Sequence, residues 1–186
     1  MMKILKEKVK VLKEYRDEDI TVANKTARKS GASALNPDGT IRAIVPKYVA
    51  ATTDKDASIL DFGAGSAAIH TTELMNQGFT NVTAYDFGNN VVEGIHDPHA
   101  LANEYQTVFA SNVLNVSSNE EMLRDTLAEI WGCVKPGGRA VFNYPASPRK
   151  GGFTTQEVAD IIQDVTGKVP EKCGGTSSAP IWEVYK

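Results

Sequence analysis

Leu60-Asp61-Phe62-Gly63-Ala64-Gly65-Ser66 closes the short apolar run that begins at Ala57, and the reading of this stretch decides the fold. A brief run of buried-type residues, then a turn with glycine at alternate positions, then a segment of helical spacing that stops near Gly78, describes one strand-turn-helix unit. Glycines are needed in such a turn because they accept backbone angles closed to other residues and leave the amide N–H groups open to a ligand. Gly63-Ala64-Gly65-Ser66-Ala67-Ala68 therefore reads as a GxGxxA turn at a helix N-terminus.

The same alternation extends downstream. Val82 to Asp86 reads as a second strand, Val91 to Ile95 as a short third and Thr107 to Ala110 as a fourth, each brief and apolar as in sheets covered on both faces. Ser118-Asn119-Glu120-Glu121 offers a capping box ahead of Leu123, Leu127, Ile130 and Val134, which line one helical face. That helix is expected to end at Lys135-Pro136-Gly137-Gly138. Arg139 to Tyr144 reads as the fifth strand, and Thr154-Thr155-Gln156-Glu157 as a second capping box before Val158, Ile161, Ile162 and Val165. Lys168 to Cys173 and Ile181 to Tyr185, separated by a Gly/Ser/Pro-rich turn, suit an antiparallel hairpin. The expected architecture is α/β: a Rossmann-like three-layer sandwich around a mostly parallel sheet, seven-stranded or reduced, finished by that hairpin.

Upstream the pattern is weaker. Met1 to Glu14 fits a helix through Leu5, Val9 and Leu12, while Lys8-Val9-Lys10-Val11 alternates like a strand; the helix is the preferred reading. Residues 21–40 hold the turn signals Ser30-Gly31, Asn36-Pro37 and Asp38-Gly39 and read as a loop or lid. Ile41, Ile44, Val45, Tyr48 and Val49 recur at helical spacing, with a kink expected at Pro46. Residues 1–40 are thus assigned to a basic arm and lid, and 41–186 to the α/β domain.

The chain has 186 residues, a net charge of −3 and two cysteines, Cys133 and Cys173, without CxxC spacing. One core is all that this length supports, and neither a disulfide framework nor a zinc site is signalled. No apolar run approaches the roughly 20 residues of a spanning helix, and no secretory leader is evident. A cytoplasmic protein without membrane association is expected. Residues 1–50 carry 11 Lys/Arg against 6 Asp/Glu, and the remainder 9 against 17. The +5 arm could steer an anionic substrate or nucleic acid, although a solvated charged segment is the favoured reading.

Asp86, 21 residues beyond Gly65, stands where a carboxylate can accept both hydroxyls of an adenosyl ribose. Asp61, two residues before the first glycine, would repel a pyrophosphate but can order donors around an aminoacyl group, which argues against a nicotinamide dinucleotide. At this point the chain resembles the class I S-adenosylmethionine (SAM) dependent methyltransferases. Leu60 to Ser66 is similar to their motif I, Tyr85-Asp86 to the acidic ribose site, Val108 to Asn112 to the fourth-strand motif, and Val134 to Arg139 to the turn into strand five. The resemblance covers roughly residues 41–186. More narrowly, Lys25-Thr26-Ala27-Arg28-Lys29 and Ala110 to Val116 resemble methyltransferase-like proteins found in phages and beside DNA-modification genes.

The resemblance implies SAM as cofactor and a set of contacts. Asp61, Gly63, Ala64 and Gly65 would hold the methionine portion, Asp86 and the adjacent Phe87 the ribose side, Asp97 the adenine, Ser111 and Asn112 the surroundings of the methyl group, and Lys25 or Arg28 the cofactor carboxylate through paired hydrogen bonds. It also exposes departures. The span from Asp86 to Tyr105 is too short for the usual helix there. The Asn/Asp-Pro-Pro-aromatic motif of amino-base methyltransferases is replaced by Ser111-Asn112-Val113-Leu114, and no cysteine nucleophile for cytosine C5 lies near a strand end. Asn143-Tyr144-Pro145 reads as a strand end. His96-Asp97-Pro98-His99 reads as a loop beside the adenine rather than a metal site, and His70 as a packed or solvated histidine rather than a general base. A small-molecule acceptor is favoured over nucleic acid, with no catalytic residue assignable. The alternative is a SAM-binding protein without transferase activity on the same fold.

Overall fold

The computed structural model describes residues 35–145, 152–177 and 179–186. Lys25, Arg28, the expected helix at 1–14 and most of the expected lid lie outside them. The elements, in chain order, are α1 (Ile44–Thr52), β1 (Ile59–Phe62), α2 (Ile69–Asn76), β2 (Val82–Tyr85), β3 (Tyr105–Ala110), α3 (Glu120–Gly132), β4 (Val134–Asn143), α4 (Thr155–Thr166), β5 (Glu171–Gly175) and β6 (Pro180–Tyr185).

Six strands form one sheet in the order β2-β1-β3-β4-β6-β5. The pairs β1–β2, β1–β3 and β3–β4 are parallel, and β4–β6 and β5–β6 antiparallel. Side chains alternate across the sheet, and the two faces bury separate clusters. Leu60, Phe62, Val108, Ala110, Phe142 and Trp182 pack with Leu123, Leu127 and Ile130 of α3 and Val158, Ile161 and Ile162 of α4. Ile59, Phe109, Val141 and Ile181 pack with Val45 and Val49 of α1, Leu74 of α2, and Phe79. This is the expected three-layer sandwich, with helices on both faces.

Four expectations are corrected. Val91 to Ile95 is no strand but an irregular turn, in which Gly94 takes φ +82 and Val91, Val92 and Ile95 are exposed. Apolar residues that are not buried give a strand nothing to gain from joining the sheet, so β2 remains its edge. Pro46 causes no kink, because it lies in the first turn of α1, where its missing N–H would have had no helical partner. The cap of α3 is Asn119, whose side chain accepts the Met122 N–H at 2.8 Å, rather than Ser118. Lys135 to Gly138 falls inside β4, where the pairing with β3 shifts register: Gly137 at φ +81 donates its N–H to the Lys186 carbonyl. The Thr154 cap stands as expected, accepting the Glu157 N–H.

Candidate active site

The C-terminal ends of β1, β2, β3 and β4 lie side by side, so the turns leaving them converge on one edge of the sheet. The glycine turn is held first by the backbone: the N–H groups of Gly63 and Ala64 both donate to the Tyr85 carbonyl, at 2.8 and 2.9 Å. Gly63 (φ +79) must be glycine on steric grounds too, since a Cβ there would meet Val113 Cγ2 at 2.5 Å. Gly65 (φ +76) is different, for a Cβ there would have nothing within 4 Å among the described residues. The open space over Gly65 is the kind of cradle that a ligand occupies at close backbone approach.

Asp86 follows β2 and is buried. One carboxylate oxygen accepts the Gly65 N–H at 2.6 Å, and the other accepts the Phe87 N–H at 2.7 Å and the Asn90 amide at 3.4 Å. These charge-assisted bonds orient the carboxylate beside the turn, and a carboxylate with about four lone-pair sites retains capacity for a further donor. Asp61, at 2% exposure, accepts the Thr71 hydroxyl of α2 at 2.7 Å. Burial raises its pKa to about 7, and the nearby Asp86 adds to this while the Thr71 bond opposes it.

Ser111 and Asn112 leave β3. Asn112 takes the left-handed conformation (φ 55), uncommon for a non-glycine residue, and its amide faces Asn143 at the end of β4 in a reciprocal pair. The Asn112 N–H donates to Asn143 Oδ1 at 2.8 Å, and Asn143 Nδ2 donates to Asn112 Oδ1 at 3.0 Å. Among the described residues the buried Ser111 hydroxyl has no hydrogen-bond partner, a state that ordinarily costs free energy unless a ligand or water completes it. A second left-handed residue, Ala68 (φ 44), precedes α2. Left-handed non-glycine residues thus follow both β1 and β3 at one edge of the sheet, and such backbone strain clusters at functional sites.

The remaining sequence-derived residues divide. Phe87 is half-buried beside Asp86. Asp97 donates its N–H to the Ala84 carbonyl, and its carboxylate accepts the His99 N–H at 2.8 Å. It thus shapes the loop next to β2. His70 is packed, its Nε2 without a partner among the described residues, and burial lowers its pKa. Two residues that the sequence placed only in a strand end and in a loop beside the adenine make contacts it did not foresee. Asn143 was readable only as a strand end, and its pairing with Asn112 arises from the β3–β4 register that sets Ala110 beside Phe142. His96 is buried and contacts both the Val92 N–H and the Gly65 carbonyl.

Residues 33–173 match the family described as "Methyltransferase domain", and the chain belongs to that family. No curated protein matches the sequence. Among solved structures, a TehB-like SAM-dependent methyltransferase from Corynebacterium glutamicum aligns with TM-score 0.55 and 16% identity, over 90% of this chain and 98% of that one. A SAM-dependent methyltransferase from Bacteroides fragilis, in complex with S-adenosylhomocysteine (SAH), aligns with TM-score 0.57 and 16% identity over 75% and 76%. Magnesium protoporphyrin IX methyltransferase from Synechocystis with bound SAH gives 0.55 and 15% over 95% and 92%. At these identities the likeness is one of fold, and the fold is that of the class I SAM-dependent methyltransferases.

Proposed function

We propose that this protein transfers a methyl group from SAM to a small-molecule acceptor. The observation that carries the reading is the Gly65 turn: its N–H is fixed by the Asp86 carboxylate while the space where a side chain would stand is open. In this reading the carboxylate of Asp86 takes the ribose hydroxyls, and Gly63, Ala64 and Gly65 present backbone to the aminoacyl portion, with Asp61 ordering that end. Phe87 lies on the ribose side beside Asp86, and Asp97 flanks the adenine. Lys25 or Arg28 would meet the cofactor carboxylate. The orphaned Ser111 hydroxyl and the Asn112 amide line the methyl side.

The bound cofactor supplies a methyl group already activated by its sulfonium. What remains for the chain is to position the acceptor in line and exclude water, which alone can supply much of a rate enhancement. The Asn112–Asn143 pair suits this task, because two interlocked amides hold one rigid polar wall at the ends of adjacent strands. The absence of an Asn/Asp-Pro-Pro-aromatic motif after β3 speaks against DNA amino groups, and a magnesium protoporphyrin IX methyltransferase among the structural neighbours fits a small-molecule acceptor.

Turnover tests the reading. SAH released from SAM in the presence of a panel of small-molecule hydroxyl, amine and carboxylate acceptors supports it. SAM binding with no SAH formed on any acceptor, nucleic acid included, replaces it with a SAM-binding protein that does not transfer.

A further inference from the structure

Both peptide groups that flank the Gly65 Cα are gripped. Asp86 takes the Gly65 N–H, as described, and on the other side the buried imidazole of His96 lies 2.8 Å from the Gly65 carbonyl through Nε2. The other ring nitrogen, Nδ1, accepts the Val92 N–H at 2.9 Å. That contact fixes the tautomer: a nitrogen that accepts an amide hydrogen carries none itself, so the single imidazole proton sits on Nε2 and is donated to Gly65. The same carbonyl also accepts the Ala68 N–H at 3.1 Å, the first bond into the N-terminus of α2.

The turn that delivers His96 is built for this contact. Ile95 and His96 both donate their N–H groups to the Val92 carbonyl, and the neighbouring Asp97 N–H ties the segment to β2 through Ala84. Val91, Val92 and Ile95 point outward and contribute little burial. Among the described residues, the anchors of this turn are therefore polar, and His96 is the one that reaches the glycine turn.

We infer that His96 is a positioning residue that holds the Gly65 peptide, and with it the glycine turn, in the cofactor-receiving geometry by donating from Nε2 to the Gly65 carbonyl. This rests on the proposal that the Gly65 turn receives SAM. Gly65 needs such a grip, since no side chain of its own fixes it and glycine is the residue with most backbone freedom to lose. Preorganising the turn lowers the ordering cost that the cofactor would otherwise meet on binding.

Two substitutions separate the roles of the two ring nitrogens. In His96→Gln the side-chain amide reaches as far as Nε2 and can donate to Gly65. In His96→Asn the shorter amide can accept from Val92 as Nδ1 does, but falls short of Gly65. Calorimetric titration with SAH, with thermal unfolding of each variant as the control, is the experiment. The expected result is that His96→Gln binds within about threefold of the parent and His96→Asn about tenfold more weakly, at comparable melting temperatures. Ring 15N shifts of the parent should report protonated Nε2 and bare Nδ1. Equal SAH affinity for the Gln and Asn variants, or a ring protonated on Nδ1, overturns the inference. If the parent itself binds no SAH, the cofactor reading fails instead.

Discussion

The parallel strands bury charge at both ends, in opposite manners. Toward their N-terminal ends, Arg139 of β4 forms a 2.6 Å ion pair with Glu183 of β6, both side chains below a tenth exposed. The rest of that guanidinium is used as well, on the Thr52 carbonyl and the Thr52 and Thr53 hydroxyls, while the Tyr48 hydroxyl donates to Glu183. At the C-terminal ends, Asp61 and Asp86 are buried with only N–H groups, one amide and one hydroxyl for partners, and no ion pair among the described residues. A closed network of this kind ties α1 to the sheet. Carboxylates left without a cation beside an open glycine turn are, in the proposed reading, the groups that a ligand would complete. That reading thus rests on unfinished pairing rather than on burial alone.

The largest effect that would sharpen this contrast is on stability. Arg139→Met strands Glu183 as a buried unpaired charge and is expected to destabilise by about 3–5 kcal/mol, read by chemical denaturation. Arg139→Met combined with Glu183→Leu should recover most of that loss. A single variant no less stable than the parent would mean that the network is not closed.

The next effect is a pH dependence at the other end. Because the folded-state pKa of Asp61 is raised to about 7 from 3.8, the folded protein binds more protons than the unfolded chain between those values. Stability contributed by this group is thus present at low pH and declines as pH rises through that window, by up to about 1.4 kcal/mol per pH unit. Asp61→Asn should flatten the decline, and an unchanged slope in the variant would break the claim that this carboxylate is held unpaired.

A smaller change is expected at Gly65. Gly65→Ala meets no atom but forces alanine into left-handed backbone, at about 1–2 kcal/mol of stability. Its SAH affinity should fall by about tenfold or more, because the added methyl enters the open space over the turn. A variant that binds SAH as the parent does would show that space to be unused.

Much of this was legible in the sequence, for identifiable reasons. Strands β1 and β3 are short runs in which apolar residues dominate, and Asp61, Gly63, Gly65 and Asp86 follow from local spacing within two adjacent units. Ser118 and Asn119 are both good caps, and the choice between them is made by which register buries Met122 and Leu123 on α3, a tertiary fact. Val91 to Ile95 misled because its apolar residues face outward. The His96–Gly65 contact joins residues 31 apart, and the Asn112–Asn143 pair depends on strand register. Neither leaves a trace in local pattern.

The central claim is most directly tested by calorimetric titration of the protein with SAM, SAH and NAD, repeated on Asp86→Ala. The account predicts micromolar binding of the two sulfur compounds, none of NAD, and a loss of about 10- to 100-fold in the variant, the scale of hydrogen bonds to a charged group. Absence of SAM and SAH binding in the parent protein, or undiminished binding by Asp86→Ala, would contradict it.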